Sequence, residues 1–280
     1  MDKNTIISNI RKKQSFLCIG LDTDLAKIPS YIIRTSDDPV FQFNKHIVDA
    51  THDLVVAYKP NIDFYESMGA KGWYILEKTI EYIKSEYPDI FLIADAKRGD
   101  IGNTSKQYAK AFFETISFDA ITVNPYMGED SVRPYLEYDN KWVIVLALTS
   151  NKGASNFQLL QDKKGKRLFE SVLDETQKWG NSSNMMYVVG ATKAIMLEEI
   201  RKLIPEHFLL IPGIGAQGGS LQEVAQYGTN REGGIIINSS RSIIYADSTH
   251  KFTIKAREKT RELQFEMQDI LSKIHFENTK

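Results

Sequence analysis

The stretch IFLIADAKRGD, residues 90–100, is a continuously apolar run that ends in a dense set of charges. Ile90 to Ala94 shows no polar alternation, which is the pattern of a strand covered on both faces in a parallel sheet. Seven further runs bounded by turn or polar residues follow suit: Phe16 to Leu21, Val55 to Tyr58, Ala120 to Val123, Trp142 to Leu148, Tyr187 to Val189, Phe208 to Ile211 and Gly234 to Ile237. Segments of helical spacing lie between them, as in Trp73, Leu76, Ile80 and Ile83, or Ala109, Phe112 and Phe113. Eight strands alternating with helices in 280 residues predict an α/β fold, a single-domain (β/α)8 TIM barrel spanning residues 1–280.

The element ends fit that reading. Asp38 and Pro39 supply an N-cap and a first-turn proline for a helix reaching about Leu54, and Pro88 stops a helix begun near Lys71. The first fourteen residues predict a short helix closing the barrel bottom, and Thr253 to Ile274 an outer amphipathic helix. The widest gap, Asn151 to Met186, reads as an elaborated connection after the fifth strand: a polar loop, then a helix around Leu168 to Trp179.

Composition narrows the function. With 35 Lys and Arg against 36 Asp and Glu, the net charge of -1 argues against a nucleic-acid partner held by a global positive field. The longest apolar runs, such as Val143 to Leu148, fall far short of the roughly 20 residues of a membrane helix, so no membrane partner is expected. The opening MDKNTIISNIRKKQ lacks the apolar stretch of a signal peptide, and a cytoplasmic protein is the expectation. Cys18 reads as a small core residue. The five histidines show no metal-ligand spacing, and Asp22 with Asp24 reads as caps or solvated carboxylates rather than a Mg2+ pair, so no metal site is expected.

In a (β/α)8 barrel, chemistry belongs to the loops at the carboxyl ends of the strands. Those ends carry Asp22, Lys59, Asp95, Lys97, Asp100, Thr149, Ser150, the segment from Pro212 to Gly219, and Asn238 to Arg241. Asp95 and Lys97 are two apart and share a strand face, and Lys59 ends the neighbouring strand. An alternating Lys, Asp, Lys array with Asp100 as a fourth member is one reading; a salt-bridge network at the rim, or a solvated strand end, is another. Gly213, Gly215 and Gly218 match G-x-G-x-x-G, but they follow the seventh strand and Glu232 precedes the next one, so a dinucleotide fold fails on context. The loops after strands 7 and 8 of a barrel form a usual phosphate site, which Arg241 is placed to complete; a plain glycine-rich turn with a surface arginine is the alternative.

The string Asp95-Ala-Lys97-Arg98-Gly-Asp100-Ile101-Gly-Asn-Thr104 closely resembles the D-x-K-R-x-D-I-x-x-T signature of the orotidine 5'-phosphate decarboxylase family. GLD at 20–22, AYKPN at 57–61, TVNPYMG at 122–128, LTSNKGA at 148–154, PGIGAQGG at 212–219 and NSSR at 238–241 also resemble its longer bacterial branch. The resemblance implies cofactor-free decarboxylation of orotidine 5'-monophosphate to UMP. Lys97 would stabilise the C6 carbanion and donate the proton, with Asp95, Lys59 and Asp100 as its catalytic partners. It assigns Asp22, Lys59 and Thr104 to the ribose, Ser150 to the pyrimidine, and Gln217 with Arg241 to the phosphate, with Pro212 also among the substrate-binding residues. It further implies a homodimer in which Asp100, Ile101 and Thr104 reach the neighbouring site. A sister family of Mg2+-dependent sugar-phosphate decarboxylases and synthases shares a similar D-x-K-x-x-D element, but Arg98 and Ile101 favour the nucleotide enzyme.

Overall fold

A computed structural model describes residues 1–191, 194–213, 220–274 and 276. Eight parallel strands close in chain order into one barrel: β1 (Leu17–Leu21), β2 (Ala57–Pro60), β3 (Phe91–Arg98), β4 (Ala120–Val123), β5 (Trp142–Leu148), β6 (Met185–Val189), β7 (Phe208–Pro212) and β8 (Ile235–Ser239). Closure is made by β1 against β8, with Leu17 opposite Ile237 and Ile19 opposite Ser239. Every apolar run of the sequence contributes a strand. Unbroken burial along β1, β6 and β8 explains their lack of alternation: one side chain fills the barrel, the next meets the helical layer. The chief difference is at β3, which continues past Ala94 to Arg98 because its charged residues find partners inside the barrel mouth.

The helices also hold with small shifts. Lys3–Lys13 is capped by Asp2, whose carboxylate accepts from the Thr5 amide at 2.8 Å. Pro39–Thr51 stops short of Leu54, and Asp38 does not cap it; the carboxylate pairs instead with Lys78 at 3.1 Å. The helix before Pro88 is Ala70–Glu86, and the outer helix is Phe252–Ser272. After β5 come a short 3-10 turn, Lys152–Asn156, and a helix, Leu168–Thr176, that ends before Trp179. Among the described residues no helix is long and apolar enough to cross a membrane.

At the amino ends of the strands Arg201 is half-buried. Its guanidinium donates to the carbonyls of Ile204 (3.0 Å), His207 (2.7 Å), Gly228 (3.1 Å) and Gly234 (3.1 Å). It thereby satisfies carbonyls beyond Ala194–Leu203 and at the end of Leu221–Gly228, helix ends that favour positive charge. Burial lowers its pKa to about 10, still far above neutrality.

Candidate functional site

The opposite mouth is built around an irregularity in β3. Its register with β4 shifts between Ala94 and Arg98, and Lys97 adopts a left-handed φ of 47°. That conformation is unfavourable for a residue with a Cβ and must be held by its surroundings. Thr122 of β4 does the holding: its hydroxyl accepts from the amides of Ala96 (3.0 Å) and Lys97 (2.9 Å), and donates to Asp95 Oδ1 at 3.1 Å. Simple alternation along a strand therefore does not describe Lys97. Asp95 and Lys97 nevertheless converge, because the bulge turns the lysine back over the strand end.

Asp95 receives both lysines, Lys59 Nζ on Oδ2 at 2.6 Å and Lys97 Nζ on Oδ1 at 2.7 Å. The three side chains grade outward, with 5% of Lys59, 14% of Asp95 and 47% of Lys97 exposed, so only the last presents its ammonium to the mouth. Burial alone would raise the Asp95 pKa, but Lys59 and then Lys97 override it and hold the carboxyl well below the usual range. Burial would likewise lower Lys59, yet Asp95 and then Asp22 raise it above an ordinary lysine. Lys59 and Asp95 are thus held as an ion pair, with the carboxylate saturated by donors.

Asp22, just past β1, lies beside this array, and its Oδ1 is buried with no hydrogen-bond partner among the described residues. The Oδ1 atoms of Asn61 and Asn238, at the ends of β2 and β8, share that condition. Three unpartnered acceptors at one mouth are what a polar ligand requires. Tyr245 ties two of the loops together: its hydroxyl donates to the Asp22 carbonyl at 2.9 Å and accepts from the Asp24 amide at 2.7 Å. Gly20 gives the β8 loop room, since a Cβ there would lie 1.9 Å from Ser240 Oγ.

Other expected residues stand around the rim. Ser150 is half-buried just beyond β5, and Pro212 ends β7 opposite Asn238. Arg241 is exposed at the start of the turn Arg241–Ile244. Ile101 and Thr104 are exposed at the start of the helix Gly102–Lys110. Asp100 does not join the array within its own chain; its Oδ1 accepts from the Ile101 amide at 2.8 Å. Gln217 lies outside the described residues. Sequence reasoning missed Thr122 as a support and Asn61 as an open acceptor, although both fall in stretches singled out above. Among the described residues no three His, Cys, Asp or Glu side chains gather as they would around a metal ion.

The chain matches the family model described as "Orotidine 5'-phosphate decarboxylase / HUMPS family" over residues 15–255. It is 60% identical over 274 residues to the orotidine 5'-phosphate decarboxylase of Bacteroides fragilis, spanning 98% of this chain and 100% of that one. It is 59% identical over 271 residues to the enzyme of the same name from Phocaeicola vulgatus, spanning 97% and 99%. The solved OMP decarboxylase of Leishmania donovani superposes with a TM-score of 0.78 at 34% identity, over 95% of this chain and 99% of that one.

Proposed function

The chain belongs to the Orotidine 5'-phosphate decarboxylase / HUMPS family, and we propose that it converts orotidine 5'-monophosphate to UMP and CO2 using its own side chains as the catalytic groups. Relatives 59% and 60% identical along nearly the whole chain support a decarboxylase of pyrimidine biosynthesis. The observation that carries the mechanism is the graded array: a buried Lys59, a saturated Asp95, and a Lys97 ammonium anchored to that carboxylate yet half exposed to the mouth.

Breaking the bond from C6 to the substrate carboxylate leaves the electron pair on C6, and CO2 departs. A ring carbon with little resonance stabilisation then needs a fixed positive charge and a proton. Lys97 supplies both: its ammonium stabilises the developing charge, then transfers a proton to C6, and the neutral amine recovers its proton from solvent at the mouth. Asp95 holds Lys97 in place, and Lys59 keeps Asp95 ionised. Asp22, Lys59 and Thr104 take the ribose hydroxyls, a role the unpartnered Asp22 Oδ1 supports. Ser150 reads the pyrimidine amide edge, Gln217 and Arg241 bind the phosphate, and Pro212 is a further substrate-binding residue. Such remote contacts hold the substrate for reaction at C6.

The working unit is a cytoplasmic homodimer with shared sites, in which Asp100, Ile101 and Thr104 serve the partner's substrate. Two observations support this arrangement. Asp100 is absent from its own chain's array, and Ile101, Tyr126 and Met127, which follow β3 and β4, leave apolar side chains exposed.

The direct test is a spectrophotometric assay of orotidine 5'-monophosphate with metal-stripped protein in EDTA. Full turnover is expected; inactivity restored by Mg2+ would transfer the chain to the sister chemistry. For the shared site, inactive Lys97→Ala and Asp100→Ala proteins are allowed to exchange subunits. Random exchange makes about half the dimers mixed, and each mixed dimer rebuilds one intact site, so about a quarter of all sites regain activity. No recovery, with exchange confirmed by native mass spectrometry, rejects the shared site.

A further inference from the structure

β5 ends at Leu148, which pairs with Val189 after a register shift, and beyond it the chain leaves the sheet. The Thr149 amide would otherwise lack a ladder partner, and Gln158 provides one: Oε1 accepts from Thr149 N at 2.8 Å. The other half of the same carboxamide donates from Nε2 to Thr149 Oγ1 at 3.0 Å, and that hydroxyl donates onward to Asn151 Oδ1 at 2.6 Å. One planar side chain thus grips both the backbone and the hydroxyl of the residue preceding Ser150.

Ser150 is confined on its other flank as well. A Cβ added at Gly190, just past β6, would lie 2.7 Å from both the amide nitrogen and the Cβ of Ser150. The serine therefore sits between a glycine that must stay bare and a threonine held from outside the barrel. Gln158 is itself well fixed. Its amide donates to Ala154 O at 2.8 Å and its carbonyl accepts from Phe169 N at 3.1 Å, which anchors it to the 3-10 turn and to the helix Leu168–Thr176. Its side chain lies at the edge of a largely apolar cavity of about 670 Å³, walled by Leu146, Phe157, Phe169 and Trp179.

Resting on the reading of Ser150 as the pyrimidine contact, we propose that Gln158 is a positioning residue for base recognition, acting through Thr149 to set the place of Ser150. The elaborated connection after β5 then has a function: it delivers a carboxamide from outside the barrel to brace the loop that reads the base. Because the side-chain hydrogen bonds of Gln158 go to Thr149, beside Ser150, its influence is expected on ligands that carry a pyrimidine.

The test compares equilibrium binding of UMP and of ribose 5-phosphate to the intact protein and its variants. Gln158→Ala should weaken UMP about tenfold while leaving ribose 5-phosphate unchanged, the scale expected from losing paired neutral hydrogen bonds at a half-buried position. Gln158→Glu, whose carboxylate can accept from both the Thr149 amide and hydroxyl, should recover part of the UMP affinity. Thr149→Val removes only the hydroxyl half; it should weaken UMP less, and add nothing when combined with Gln158→Ala. Equal weakening of both ligands, or of neither, overturns the role of Gln158, and the Thr149→Val result decides the matter if Gln158→Ala folds poorly. A wild-type protein that binds UMP no better than ribose 5-phosphate removes the Ser150 reading and this one with it. Discrimination present in the wild type and retained in Gln158→Ala removes this one alone.

Discussion

Arg201 and Lys97 are cations at opposite mouths of the same barrel, and their surroundings differ in kind. Arg201, at the amino ends of the strands, donates to carbonyls in three separate stretches of backbone, at 204–207, 228 and 234. Lys97, at the carboxyl ends, makes one ion pair, is half exposed, and stands near buried acceptors on Asp22, Asn61 and Asn238 without partners among the described residues. Arg201 is answered by the chain itself, whereas the carboxyl mouth gathers Asp22, Asn61 and Asn238 acceptors around the ion-paired lysines, open to a polar ligand. Satisfied burial contributes stability, whereas unsatisfied groups held in place are the raw material of binding and catalysis.

The comparison breaks most visibly at Lys97. Lys97→Ala should lower kcat at least a thousandfold, about 4 kcal/mol of barrier, while the melting temperature stays nearly constant. Retention of a tenth of the wild-type kcat would show that the proton comes from elsewhere. Arg201→Leu should do the reverse, costing about 3 kcal/mol of stability by stranding buried carbonyls, with kcat per folded molecule unchanged. Urea titration alongside active-site titration separates those effects. Arg241→Ala should raise KM roughly tenfold, about 1.4 kcal/mol, with a smaller change in kcat, because the lost contact is uniform between ground and transition states. An unmoved KM would remove Arg241 from the phosphate end.

The smallest effect concerns pH. His207, at the amino ends, has both ring nitrogens buried and unpartnered among the described residues, and burial, then Lys3 and Arg201, lower its pKa to about 4. In the unfolded chain it takes a proton near pH 6.5, so its contribution to stability is full above that value and lost as pH falls toward 4. Asp95 has the same sign but a lower window: its contribution is full above the ordinary carboxylate value near 3.9 and lost only below it. Between pH 6.5 and 4, melting temperature should therefore decline at the histidine's end while the lysine array persists. His207→Phe should flatten the decline; an unchanged slope would place its origin elsewhere.

How much of this was legible follows from where each feature is encoded. The strands could be read because burial on both faces forces unbroken apolar runs, as in Trp142–Leu148. Lys59, Asp95 and Lys97 could be read because strand ends of a barrel converge on one mouth. The left-handed backbone at Lys97 could not, since it depends on a register shift and on Thr122, 25 residues away. The hold of Gln158 on Thr149 depends on the path of a loop rather than on any period. Asp100 is legible only as a motif letter; its own chain gives it no place in the array.

The φ of 47° at Lys97 has a consequence for how this protein would evolve under heat. Glycine adopts that dihedral freely, while a lysine there carries strain of about 1 kcal/mol or more. A laboratory population selected only for surviving high temperature would gain by placing glycine at position 97, and would discard the acid that the proposed reaction needs. Heat tolerance and turnover pull on one backbone angle in opposite directions, so the residue persists only where both are selected together.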